Sequence, residues 1–308
     1  MIRLLLATLL LLPLPLAAQQ PTMQQLLPAI APRPRLDEPW WAERHQHILD
    51  QLARRPDIRL LLIGDSITQN YEKSNPPDEN FLPTWNQFYA PRHALNLGFS
   101  GDSTANVLWR LTHGEIDNIK PSVAILLIGT NNTGHEHQTA EQTIAGIDNI
   151  IGTLAQRLPQ TRILLLGILP SDVSPEKTAA DKAINAYLAK RYGHTPSATT
   201  STTAELSSRP KAHSAAVERP ASPPPNTPSQ QPTPSPHDQA ESRITYLDLT
   251  PTFLKPDGAL DTAIFYDPRL PHPGKALHPD TNAQHKMAEA IEPTLSNLLN
   301  DTPRTRPH

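Results

Sequence analysis

Short runs of nearly unbroken apolar residues alternate along this chain with longer stretches whose apolar residues recur every three or four positions. The runs are Leu60 to Ile63, His93 to Leu97, Val123 to Ile128, Ile163 to Leu169 and Ile244 to Leu247. They are short, rich in branched residues and bounded by glycine, proline or polar turns, the pattern of strands buried on both faces of a sheet. The periodic stretches predict helices over Trp40–Arg54, Thr104–Thr112 (capped by Asp102 or Ser103), Ala140–Leu158, Pro175–Tyr192 and Thr281–Leu299. Strands alternating with helices make a parallel sheet, and right-handed crossovers cover both of its faces. The predicted fold class is α/β, a three-layer α/β/α sandwich around a five-stranded parallel sheet.

Two stretches break the alternation. Residues 1–18 carry Arg3, an apolar run from Leu4 to Leu16 and the small pair Ala17-Ala18. The run is shorter than the roughly 20 residues that span a bilayer, so a secretory signal peptide is expected, and with it a periplasmic or secreted protein. Residues 194–243 are rich in Pro, Ser, Thr and Ala and almost lack large apolar side chains. Such a segment cannot offset its ordering entropy by burial and is expected to be a disordered insertion. The expected organisation is a signal at 1–18, an extension with an outer helix at 19–58, one α/β domain formed by 59–193 and 244–300, and the insertion between its two parts.

Composition narrows the chemistry. A net charge of −3 offers no basic field for nucleic acid. The absence of cysteine removes disulfides, thiolate zinc sites and a cysteine nucleophile. No segment after the signal is apolar and long enough to be expected to cross a membrane.

In parallel sheets ligands bind at the carboxyl ends of the strands. Three of the runs end there in polar turns: Gly64-Asp65-Ser66, Gly98 through Asp102, and Gly129-Thr130-Asn131-Asn132. Any one of them alone is ordinary punctuation between strand and helix. Together they put a serine, a flexible glycine turn and an asparagine on one edge, which suits ester hydrolysis. Ser66 is the candidate nucleophile. The backbone N–H groups of Ser66 and Gly101 and the side chain of Asn131 are candidate oxyanion donors. His278, in the loop before the last helix, is the candidate base, with His272 a weaker one and His285 expected to be a solvated helix residue. Asp65 and Asp102 are expected to serve turns and caps, and Asp280 to cap the last helix.

These blocks, "GDSIT", "NLGFSGDS", "GTNN" and "ALHP", resemble the SGNH superfamily of GDSL-type esterases. The stretch from His93 to Pro121 followed by "GTNN" is most similar to the catalytic subunits of type-I platelet-activating-factor acetylhydrolase and their bacterial relatives. The resemblance covers about Arg59 to Tyr192 and Ile244 to Leu299. It implies a flavodoxin-like fold, metal-independent ester hydrolysis without a cofactor, Ser66 as nucleophile, Gly101 and Asn131 at the oxyanion and His278 as base. It also suggests a homodimer.

One block departs from the family pattern. Where an acid usually stands three residues before the histidine, this chain has Lys275, which cannot accept an imidazole N–H. Asp267 from "IFYDPRLPHPGKALHP" can take its place, a backbone carbonyl can orient His278, or the site is inactive. The histidine pairs His45/His47 and His135/His137 lack a zinc-binding spacing and are read as solvated. The expected substrate is a short, acetyl-type ester, on a glycan if the protein is exported. Lysophospholipid or another lipid ester is the alternative, and a non-catalytic carbohydrate- or partner-binding module is the rival of a different class.

Overall fold

The computed structural model describes residues 20–55, 57–76, 79–193, 242–266 and 275–301. The signal, nearly all of the Pro-rich insertion, Asp267 and His272 lie outside them. In chain order the elements are α1 (Met23–Ile30), α2 (Pro39–Arg54), β1 (Leu60–Gly64), α3 (Ser66–Gln69), β2 (Ser74–Asn75), β3 (Glu79–Asn80), α4 (Leu82–Phe88), β4 (Ala94–Gly98), α5 (Thr104–Thr112), β5 (Val123–Leu127), α6 (Thr130–Gly134), α7 (Ala140–Arg157), β6 (Arg162–Leu166), α8 (Pro175–Tyr192), β7 (Ile244–Leu247) and α9 (Thr281–Leu299).

The five long strands form one parallel sheet in the order β4-β1-β5-β6-β7. The unbroken apolar runs follow from its two covered faces. Leu61, Ile63, Leu95, Leu97, Ala124 and Leu126 face one core, which α2, α5, α7 and α8 close with Trp41, Val107, Ile147 and Ile184. Their neighbours Leu60, Leu62, Val123 and Ile125 face the second core, closed by Phe88 of α4 and by Met287, Ile291 and Leu295 of α9. Successive strand residues point to opposite faces, so each residue needs an apolar side chain.

Several boundaries shift by a residue or more from the pattern-based reading, three of them instructively. The predicted strand start at His93 is a left-handed turn residue with φ of 52°, and β4 begins one residue later. The predicted strand to Leu169 stops at Leu166 although Ile168 and Leu169 are buried. Asn185 of α8 takes both backbone groups of Ile168, at 2.8 Å each, and so replaces the ladder. The helix predicted to Leu158 ends at Arg157, with Leu158 as its C-cap. The short helices α1, α3, α4 and α6 and the β2–β3 hairpin carry too few residues to show a period.

Candidate active site

β1 delivers Ser66 as the first residue of α3. Asp65 caps that helix, its Oδ1 accepting from the Ile67 N–H at 3.0 Å. Burial pushes the Asp65 carboxyl up to about 7, and the charge of Asp102 adds to the effect. Its Oδ2 has no hydrogen-bond partner among the described residues. The helix lies directly on the end of β4: a Cβ at Gly98 would stand 2.3 Å from the Gln69 nitrogen, so only glycine fits there.

His278 Nε2 lies 2.8 Å from Ser66 Oγ. Both residues are 8% exposed, dry yet reachable. The histidine is set from two directions. Its carbonyl accepts from the Tyr266 N–H at 2.6 Å, and the Asp280 N–H donates to Ile264 at 2.9 Å. Asp280 then caps α9 by accepting from the Ala283 N–H at 2.7 Å. One turn further, the buried Gln284 donates to the Ile67 carbonyl at 2.9 Å and ties α9 to the serine helix.

The turn after β4 is held on several sides. Gly101 has φ of 77°, the left-handed conformation that favours glycine. The Ser100 N–H donates to Gln69 Oε1 at 2.6 Å, and Arg35 donates to the Ser100 carbonyl at 2.7 Å. Asn131, second residue of α6, donates one amide N–H to the Asp102 carbonyl at 2.9 Å, which fixes the orientation of the amide. α6 is itself anchored by Thr133, which donates to Asp181 at 2.7 Å while the buried Lys177 ammonium reaches both Thr133 and Asp181.

Beneath that turn lies a buried charged network. The Asp102 carboxylate accepts from Trp41 at 2.8 Å, Arg35 at 3.0 Å and Arg110 at 2.8 Å. Arg110 also pairs with Glu115, which contacts His45 at 2.9 Å, and its guanidinium lies 4.0 Å over the Phe99 ring. The cap of α5 is Ser103, in a capping box with Asn106, and Asp102 braces the turn instead. Arg110 and Asn106 carried no visible signal beyond a polar residue at each end of an apolar helix. Gln69, one turn after Ser66 on the same short helix, was the readable one.

Ser66 and His278 open into a cleft of about 160 Å³ whose walls include Asn70, Lys73 and Tyr266. Lys275 is directed away from it, donating to the Val173 carbonyl at 2.7 Å. Among the described residues no group of three or more His, Asp or Glu could hold a metal ion. His47, His135 and His137 are exposed, whereas His45 is buried against Glu115, contrary to the solvated reading. His285 is likewise no solvated residue: it contacts Thr84 at 3.0 Å and packs edge-on to Phe88, joining α9 to α4.

The model of the GDSL-like lipase/acylhydrolase family matches residues 62–216, half of the chain. The platelet-activating factor acetylhydrolase IB subunit alpha2 of Rattus norvegicus and that of Homo sapiens are each 39% identical over 139 residues, 45% of this chain and 55% of the subunit. The chain thus matches about half the length of these curated relatives. A GDSL-like lipase of Bacteroides thetaiotaomicron superimposes with a TM-score of 0.51 at 13% identity, covering 82% of this chain and 97% of its own, a likeness of fold alone. With its serine turn, its parallel sheet and the matched stretch in agreement, the chain belongs to the GDSL-like lipase/acylhydrolase family.

Proposed function

We propose that this protein is an exported serine esterase that removes short acyl groups, acetyl above all, from a glycan. The observation that carries the esterase reading is the 2.8 Å contact between Ser66 Oγ and His278 Nε2 beside the braced Gly101–Asn131 edge. Ser66 attacks the ester carbonyl while His278 takes its proton. The backbone N–H groups of Ser66 and Gly101 and the free Asn131 N–H receive the developing oxyanion. The tetrahedral adduct collapses, the C–O bond to the alcohol breaks, and His278 returns the proton to that alcohol. Water repeats the sequence on the acyl-enzyme and frees the acid.

The orienting acid in this reading is Asp267. What supports this reading is that its chain neighbour Tyr266 donates its backbone N–H to the His278 carbonyl, while Lys275 is engaged elsewhere. The acetyl preference is supported by the acetylhydrolase relatives. Export is supported by the leader-like first 18 residues.

The test is hydrolysis of p-nitrophenyl acetate, butyrate and octanoate by the mature protein and by Ser66→Ala and Asp267→Asn. Rates that fall with acyl length and vanish in Ser66→Ala are expected. A loss of about 10⁴ in kcat for Asp267→Asn marks a triad, by analogy with other serine triads, and an unchanged rate marks a dyad. Folded protein inactive on all three esters would make it a binding module, and octanoate as the preferred substrate would make it a lipid esterase.

A further inference from the structure

A second depression, of about 420 Å³, adjoins the catalytic cleft, and Gln69 and Ser100 line both. Its opposite side is built by the segment before the first sheet strand: Arg35, Glu38 and Trp40. Trp40 is 39% exposed, although its neighbour Trp41 is wholly buried. Its ring is fixed in place. The indole N–H donates to Glu38 Oε2 at 3.0 Å, and the Arg35 guanidinium lies 5.3 Å from the ring centroid. Arg35 grips Glu38 through two hydrogen bonds, at 2.9 and 2.8 Å, and holds its carboxyl below the ordinary range. The same guanidinium reaches the Ser100 carbonyl and Asp102, so the platform is bolted to the turn that carries Gly101.

We propose that this depression is the subsite for the alcohol half of the ester, and that it takes a neutral pyranose ring of an oligosaccharide, with Trp40 as the stacking surface. The proposal rests on the esterase reading above and names its substrate class. An aromatic face gives a sugar ring its apolar contact, while the Gln69 amide N–H groups and the Glu38 and Ser100 oxygens offer donors and acceptors for hydroxyls. Charge separates this ligand from a phospholipid headgroup. Glu38 is neutralised by Arg35, and that guanidinium already sits on the Trp40 ring, so neither of these two groups is left free for a zwitterion. Among the described residues, the lining of the depression is polar apart from Trp40 and Gly101. The shared residues Gln69 and Ser100 set the geometry: an ester whose acyl carbon meets Ser66 extends its alcohol past them onto Trp40.

The experiment compares three acetyl esters on the mature protein, on Trp40→Ala and on Trp40→Phe: acetylated xylotriose, p-nitrophenyl acetate and an acetylated glycerophosphocholine. The ratio of kcat/KM on acetylated xylotriose to that on p-nitrophenyl acetate is expected to fall about tenfold in Trp40→Ala, through KM, and to return within about threefold in Trp40→Phe. Unsubstituted protein supplies an independent arm: xylotriose should inhibit hydrolysis of p-nitrophenyl acetate competitively. An unchanged ratio, or no inhibition by xylotriose, overturns the subsite. A ratio that falls for the glycerophosphocholine ester instead gives the site to a lipid headgroup. Absence of Ser66-dependent hydrolysis of p-nitrophenyl acetate overturns the esterase reading itself, and the subsite with it.

Discussion

The two halves of the site are held by different physics. The edge that carries Ser66, Gly101 and Asn131 rests on buried charge: Asp102, Arg110, Glu115 and Arg35 under the glycine turn, Lys177 and Asp181 behind α6. Next to His278, the other half rests on backbone pairing with Ile264 and Tyr266, on the Asp280 cap and on the Gln284 amide, and the buried Arg92–Glu292 pair joins α9 only further along that helix. Buried ion pairs fix direction sharply but are costly to break, because a lost partner leaves a charge stranded in a dry interior. Neutral hydrogen bonds give up less when one is removed. The proposed oxyanion donors, which would meet a charge that exists only in transit, sit on the sharply fixed half. The imidazole proposed to carry the proton sits on the softer one.

The most severe test of this contrast is Arg110→Met, which strands Asp102 and Glu115. Urea denaturation should show a loss of about 3–5 kcal/mol. A loss near zero would mean the charged brace does not hold the turn. Asp65→Asn comes next and sharpens the contrast through pH. The folded carboxyl is pushed up to about 7 from an ordinary value of 3.8, so the unfolded chain ionises first. Its contribution to stability therefore falls as pH rises from about 4 to about 7 and then levels, by as much as about 4 kcal/mol at 1.36 kcal/mol per pH unit. The variant should gain on the parent in melting temperature across that window and run parallel to it above. Parallel curves throughout would place the Asp65 carboxyl in its ordinary range.

Asn131→Ala should lower kcat by about 10²–10³, as loss of one oxyanion donor does, with KM changed far less. An equal rise in KM would move Asn131 from the transition state to substrate binding. The smallest effect belongs to the histidine half. Gln284→Leu leaves the Ile67 carbonyl without its donor and should cost about 1–3 kcal/mol in the same denaturation assay. If it cost as much as Arg110→Met, the two halves would not differ in kind.

Much of this was readable in the chain. Five apolar runs became five sheet strands because two covered faces leave no room for polar alternation. Ser66, Gly101 and Asn131 stood out because each closes such a run with a polar turn, and parallel strands bring those turns to one edge. What escaped the sequence depends on partners far along the chain. Ile168 looks like strand until Asn185 of α8 takes its backbone. His45 looks like surface until Glu115 and Arg110 meet it. Arg35 lies in a stretch without period, and nothing local says that it clamps Ser100. Short helices are set by a cap, as Asp65 sets α3, or by what they rest on, as Thr133 and Asp181 hold α6, which hydrophobic spacing does not record.

Ser66 and His278 stand 212 residues apart in the chain. Arg92 of the early part pairs with Glu292 of α9 across 200 residues, and α9 supplies Met287, Ile291 and Leu295 to the second core. On the proposed roles, the serine belongs to the first strand of the sheet and its base to the segment that leads into α9. The docking of α9 therefore completes the second core and the Ser66–His278 pair together, and a chain that stopped before His278 would hold the serine without its base.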